Sequence, residues 1–258
     1  MEAYDKFAGV YDRMEADRFS ARMAEYTLKI LRRFDIVAEE ALDLCCGTGT
    51  AIKIFADNGL VMSGLDRSSP MLKVAKKKLR GRNVPLYCQA LPRFEIEESG
   101  KKGRGANRQF DLVTCFYDSL NYLLTERDLK TAFRAVFRHT RPGGWFIFDM
   151  NTPHALKTIW GEQPPFSGVK DDVAWIFRSE FFRENTTANC YVTLFVKSGR
   201  SWKRLDEVHT ERGYTDKVIK TLLKEAGFRI RGYYRCLTFE RPDSSTSRVC
   251  AVVEKPKK

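Results

Sequence analysis

Long hydrophobic runs are missing from this 258-residue chain. No stretch approaches the roughly 18 apolar residues needed to cross a bilayer, which excludes a helical membrane span. The opening, MEAYDKFAGVYDRMEADRF, scatters acids where a secretory leader keeps an apolar core. No signal peptide is expected, and the reading places the protein in the cytoplasm. Glycine (17) and proline (9) are too few for a collagen-like or low-complexity chain. Histidine is scarce, with only His139, His154 and His209. The seven cysteines are odd in number and form neither a CxxC pair nor a Cys/His cluster. Structural zinc is therefore not expected, no metal is assigned, and the thiols are read as buried and reduced.

Acids are outnumbered, 33 against 45 basic residues, for a net charge of +12. Such an excess attracts nucleic acid, anionic membranes or acidic metabolites without specifying a fold. Much of it sits in scattered runs at 76–80, 101–104 and 255–258, which read as solvated faces and loop tips. A nucleic-acid partner is kept in view but not favoured, a membrane is not expected, and the oligomeric state is left open.

What is present is an alternation of strand and helix signals. Phe7, Val10, Tyr11 and Met14 are spaced like one face of a helix, and a second helical segment holds Tyr26, Leu28, Ile30 and Leu31. Strands are predicted at 41–44, 60–65, 84–88, 110–116 and 145–150. Helices lie between them, one starting at Ser69-Pro70 with serine as N-cap and proline in first position. Residues 97–109 read as a polar, mobile loop. After Trp160 the pattern changes to an antiparallel meander of three strands, 172–182, 188–197 and 202–212. A helix over 215–226, stopped by Gly227, and strands at 228–235 and 248–254 resume the first pattern. The expected fold is α/β: a doubly wound, Rossmann-like, seven-stranded sheet with an antiparallel β insertion after the fifth strand. The chain divides into 1–160 (N-terminal helices and ligand-binding core), 161–212 (insertion, a lid or substrate region) and 213–258 (the elements completing the core).

In such sheets ligands bind beyond the carboxyl ends of the strands. The first strand runs into Asp43-Leu44-Cys45-Cys46-Gly47-Thr48-Gly49-Thr50, a turn tight enough for backbone to approach a ligand. The second ends at Asp66, 17 positions after Gly49, where a carboxylate accepts both hydroxyl hydrogens of an adenosine ribose. A dinucleotide site wants a small third position in GxGxxG; here it is the bulky Ile52. Asp43 would also repel a pyrophosphate, so the reading tilts away from NAD.

At these residues the chain resembles the class I S-adenosylmethionine (SAM)-dependent methyltransferases, in their small-molecule, methyltransferase domain 25-like branch. Residues 43–49 resemble the family's first motif, and Gly64-Leu65-Asp66-Arg67-Ser68-Ser69-Pro70-Met71-Leu72 its second. Phe110-Asp111-Leu112-Val113 and Arg141-Pro142-Gly143-Gly144 resemble its entries to the fourth and fifth strands. Residues 4–12 (YDKFAGVYD) and Asp118-Ser119-Leu120-Asn121-Tyr122 are similar to the small-molecule branch. The resemblance implies SAM as cofactor and S-adenosylhomocysteine as product. It implies that Gly47 and Gly49, with Cys45 and Thr48 in the same turn, pass under the methionine moiety, and that Asp43 holds the turn and the amino end. It assigns the ribose to Asp66, the adenine flanks to Arg67 and Met71, the adenine edge to Ala90 and Leu91, and cover to Phe116 and Tyr11. Cys45 stands where the family usually has its first glycine, and Ala90 where it often has an acid.

Methyl transfer asks mainly for positioning and desolvation. A neutral amine acceptor needs no base, whereas a hydroxyl or acidic carbon benefits from one. Candidate polar groups near the strand ends are Tyr117, Asp118, Asn121, Asn151, His154 and, from the insertion, His209; Asp118 is equally a cap for the following helix. The insertion's aromatics (Trp175, Phe177, Phe181, Phe182, Tyr191, Phe195) are expected mostly on its core face, with a few lining the acceptor pocket. The expected activity is methylation of a small-molecule acceptor at N, O or C. The alternatives are an RNA or protein methyltransferase and a non-catalytic SAM-binding protein.

Overall fold

The structure, a computed structural model, describes residues 7–98 and 107–257. Tyr4, Asp5 and Lys6 of the N-terminal motif, residues 99–106 of the polar loop with the basic run at 101–104, and Lys258 lie outside the described residues.

Seven strands form one sheet: β1 (Glu40–Leu44), β2 (Val61–Asp66), β3 (Leu86–Cys88), β4 (Phe110–Cys115), β5 (Thr140–Asn151), β10 (Arg229–Arg235) and β11 (Arg248–Glu254). Their spatial order is β10-β11-β5-β4-β1-β2-β3. All neighbours from β3 to β5 pair in parallel, and β11 pairs antiparallel with both β5 and β10. The order reverses between β1 and β4, so loops after those two strands part and leave a crevice.

Strand residues alternate between two apolar layers because successive side chains point to opposite faces. Phe146, Phe148, Met150, Val249, Ala251 and Val253 meet the buried faces of α4 (Glu126–His139) and α6 (Asp216–Ala226). Ile147, Cys250 and Val252 meet α1 (Arg18–Arg33), α2 (Thr50–Asp57) and α3 (Ser69–Lys78). No helix of the described residues is long and apolar enough to cross a membrane.

Strands β6 (Phe166–Lys170), β7 (Val173–Phe182), β8 (Thr187–Ser198) and β9 (Ser201–Arg212) form a second, antiparallel sheet. It follows β5, the short α5 (Pro153–Ala155) and a π-helical turn, Leu156–Trp160. The expected three-stranded meander thus has a fourth strand. β6 escaped notice because it is short and carries Phe166 and Val169 outward, with Gly168 lying flat against the Trp175 ring.

Other local differences have clear causes. The helix expected over Phe7–Met14 is a run of turns, and Glu15 takes a positive φ of 61° before α1 begins. There Phe7 and Val10 pack on Val173, Val192 and Leu194 of the second sheet, so their spacing serves a sheet contact rather than a helix face. The N-cap of α3 is Ser68, not Ser69; its hydroxyl accepts from the Met71 N–H at 3.3 Å and Pro70 falls at the second helical position. The fifth strand, expected from 145, starts at Thr140, and the extra residues bulge out of the β4 register with Gly143 at φ 80°. Cys88 is exposed, against the expectation of buried thiols, because β3 is an edge strand.

Candidate active site

A cavity opens at the carboxyl ends of β1, β2 and β4, holding about 1080 Å³ of empty space including its mouth. Its floor is the turn after β1: Cys45 and Gly47, both at positive φ (54° and 51°), with Cys46 and Thr48. A Cβ at Gly47 would meet nothing within 4 Å, so the backbone there is open to a ligand.

Asp43, Asp66, Arg67, Met71, Ala90, Leu91, Phe116 and Tyr11 all line this cavity, as the sequence led us to expect. Gly49 does not. At φ 78°, its missing Cβ leaves room for Ala75 and Leu79, which a Cβ would approach to 3.2 Å. It packs α2 onto α3 and caps α2.

The acids are built into place. Asp66 receives the backbone N–H groups of Gly47 and Ser68, each at 2.8 Å, so the two strand ends are locked together. Burial raises its pKa against those hydrogen bonds. Asp43 is fully enclosed, and burial pushes its pKa up to about 7 even though Thr114 Oγ1 donates to it at 2.7 Å; the nearby Asp66 adds to the rise. A buried carboxylate with no cation against it is an uncompensated cost that a positively charged ligand group relieves. The cavity therefore fits a cofactor with ribose hydroxyls at one end and a cationic amino or sulfonium group at the other.

The cover comes from the N-terminal segment, where Tyr11 is expected, and not from the insertion expected to act as a lid. Tyr11, Asp17 and Ser20 of the N-terminal segment line the cavity, whereas no described residue of β6 to β9 does. Thr48 Oγ1 donates to Asp12 at 2.6 Å, Thr50 Oγ1 to Asp17 at 2.7 Å, and Lys78 Nζ pairs with Asp12 at 2.8 Å. From the other side Arg13 pairs with Asp172 at 2.5 Å and Lys170 pairs with Glu15. The insertion is thus a platform behind the segment that closes the site. Of its aromatics, Trp175 and Phe177 join the cluster beneath Phe7 and Val10; all six stay half-buried and none lines the cavity.

The catalytic candidates separate. Tyr117 lines the cavity at φ 59°, and burial pushes its pKa up to about 12, which keeps the phenol protonated. Asp118 neither lines the cavity nor caps the following 3₁₀ turn, Ser119–Tyr122. It belongs to a buried ion cluster instead. Arg248 donates to Asp118 at 2.7 Å and to Asp149 at 2.5 Å, while Asn151 Nδ2 donates to Asp118 at 2.7 Å and to Glu211 at 2.8 Å. Asp149 also receives the N–H groups of Tyr117 (2.7 Å) and Asp118 (3.1 Å), fixing two successive positive-φ residues after β4. Burial raises the Asp149 and Glu211 pKa values. Asn121 is structural as well: its amide donates to the carbonyls of Asn151 (3.0 Å) and Arg212 (2.8 Å), tying the insertion to β5. His154 is half-buried on α5 and outside the lining. His209 is buried one side chain from the cavity, with Nδ1 2.9 Å from the hydroxyl of Tyr122, a lining residue.

Sequence reading missed Asp17, Ser20, Gln89 and Tyr122 in the lining. Tyr122 lay inside a motif already marked at 118–122, and Gln89 beside Ala90; Asp17 and Ser20 carried no signal before the N-terminal segment folded over the turn.

An open α/β sheet with an adenosine-type cavity at its switch point defines the class: a nucleoside-cofactor enzyme of the methyltransferase type. A methyltransferase domain model matches residues 41–144. A SAM-dependent methyltransferase of known structure from Clostridium acetobutylicum ATCC 824 is 31% identical, covers 99% of this chain and 100% of its own, and superposes with a TM-score of 0.83. The YqeM protein of Bacillus subtilis (strain 168) is 26% identical over 254 residues, 98% of each chain. A dTDP-4-amino-2,3,4,6-tetradeoxy-D-glucose N,N-dimethyltransferase from Saccharopolyspora spinosa is 27% identical over 145 residues, 55% of this chain and 53% of that one. The chain belongs to the SAM-dependent methyltransferases.

Proposed function

We propose that this methyltransferase acts on a small acceptor that carries its nucleophilic nitrogen or oxygen into the covered cavity. The observation that carries this is the roof: Tyr11, Asp17 and Ser20 line the cavity, and the segment that carries them is held through Asp12 and Asp17 on one side and Arg13 on the other. The amino-sugar substrate named for the Saccharopolyspora relative is of this chemical class. Against a polynucleotide acceptor, the charged lining residues are Asp17, Asp43, Asp66 and Arg67, an excess of acid despite the basic chain.

SAM supplies an electrophilic methyl group on a sulfonium. The chain's residues hold and orient it. Gly47 leaves space for the amino-acid end, and Asp43 provides a negative partner for its ammonium. Asp66 accepts from the ribose, Arg67 and Met71 flank the base, Ala90 and Leu91 border its edge, and Phe116 and Tyr11 exclude water. Desolvation and in-line placement then supply most of the acceleration.

Calorimetric titration with SAM and S-adenosylhomocysteine, with NAD as control, tests the cofactor assignments. Ligand at a hundredfold over Kd stabilises by about 2.7 kcal/mol, a rise of about 5–11 °C in Tm. Asp66→Ala should abolish that rise. A panel of amino sugars, simple amines, phenols and RNA, read by release of S-adenosylhomocysteine, then tests the acceptor class. Turnover of RNA alone would overturn the small-acceptor reading.

A further inference from the structure

We propose that Tyr122 is the proton-accepting catalytic residue, backed by His209 and Glu207 as a buried relay. The inference rests on the small-acceptor reading and assigns residues to the proton that a hydroxyl or protonated-amine nucleophile must lose.

Three observations build it. Tyr122 lines the cavity at the end of the 3₁₀ turn after β4. Its hydroxyl lies 2.9 Å from His209 Nδ1. On the far side of the imidazole, His209 Nε2 lies 3.4 Å from Glu207 Oε2, an ion-pair distance without hydrogen-bond geometry, and both of these side chains are buried. His209 and Glu207 are two apart on β9, so they project from the same face of that strand, together with Glu211. Cys190 is opposite His209 on β8. Phe7 and Tyr122 meet the imidazole edge-on, at centroid distances of 5.8 and 6.0 Å.

A carboxylate at Nε2 favours the tautomer with its proton there, which leaves a lone pair on Nδ1 facing the phenol. Tyr122 then donates to His209, and its oxygen is set to receive a proton from the cavity. The Arg67 guanidinium lies 6.0 Å over the Tyr122 ring. In the transfer the acceptor's lone pair forms the new bond to the methyl carbon, while the carbon–sulfur bond breaks and its pair stays on sulfur. The acceptor's proton passes to Tyr122 Oη as the phenolic proton passes to His209 Nδ1, and the imidazolium later releases it to water. Glu207 is a positioning residue throughout.

The imidazole reports this directly. In full-length protein labelled with ¹⁵N-histidine, His154→Gln and His209→Gln assign the ring signals. The relay requires wild-type His209 to carry its proton on Nε2 at pH 8, with or without S-adenosylhomocysteine, and Glu207→Gln to shift it toward the Nδ1–H form. An Nδ1–H imidazole in the wild type overturns the proposal, because the phenol would then have no base behind it. An unchanged spectrum in Glu207→Gln overturns the role of Glu207. In turnover of a panel phenol, whose hydroxyl benefits from a base, Tyr122→Phe should lower kcat about 100-fold with KM little changed; an unaffected kcat sinks the catalytic role. Calorimetry on the same samples keeps the two readings apart. Cofactor binding with the wrong tautomer defeats the relay alone, whereas absence of cofactor binding defeats the cofactor site.

Discussion

Thr48, in the turn beneath the cofactor cavity, donates a 2.6 Å hydrogen bond to Asp12, in the segment above it. Lys78 reaches the same carboxylate at 2.8 Å, so floor and roof share one partly buried cluster. The site is closed by a segment that its own floor recruits.

Breaking that link should loosen the closure. Asp12→Ala removes the acceptor for both Thr48 and Lys78, and we expect S-adenosylhomocysteine to bind roughly three- to tenfold more weakly, in line with one or two partly exposed hydrogen bonds. Stopped-flow dissociation should show the loss as a faster off-rate, with Tm nearly unchanged. Unaltered dissociation would mean that Tyr11 closes the site unaided.

Asp43 gives the cofactor site a pH dependence. With its pKa near 7, a ligand whose ammonium requires the carboxylate should bind about tenfold more weakly at pH 6 than at pH 8. Adenosine, which lacks the amino-acid end, should show a much flatter profile by calorimetry. Stability of the ligand-free protein runs the other way. The folded state keeps a proton on Asp43 that the unfolded chain releases near pH 4, so this group's contribution is lost as pH rises from about 4 to 7. Asp43→Asn should flatten that part of the stability profile. Identical pH dependence for both ligands would remove Asp43 from the ammonium site.

The buried ion cluster is sensitive to its cation. Arg248→Met strands Asp118 and Asp149 without their shared partner, a cost of about 3–5 kcal/mol. The fall in Tm should be about 6–20 °C by calorimetric scan. Glu211→Gln should be mild, within about 1 kcal/mol. Burial favours the protonated acid there, and an amide oxygen still accepts from Asn151. Equal losses in the two variants would contradict the assignment of charge.

The two glycines of the turn should separate binding from stability. Gly49→Ala meets Ala75 and Leu79 at 3.2 Å with φ at 78° and should destabilise by about 1–2 kcal/mol, with little effect on cofactor affinity. Gly47→Ala bears a similar positive-φ strain at 51° but points into open space, so it should in addition weaken S-adenosylhomocysteine binding, which Gly49→Ala should not. Thermal scans and calorimetry on both variants decide it.

Much of this was legible along the chain. Alternating apolar residues in β1, β4 and β5, the glycine turn and the acid closing β2 are local or periodic signals, because a strand's two faces and a tight turn are properties of a few consecutive residues. They specified the sheet, its switch point and most of the cavity lining. Other assignments depended on partners far away in sequence. Asp118, a candidate base or cap by sequence, is claimed by Arg248, 130 positions on, and Asp12 and Asp17 join the site only when the N-terminal segment meets Thr48, Thr50 and Lys78. Tyr122 gains its meaning from His209, 87 residues later. The sequence by itself determined the fold and where the cavity opens; the tertiary structure alone decided which polar groups face the cavity and which are neutralised in the core, since burial and pairing arise between segments that no local pattern connects.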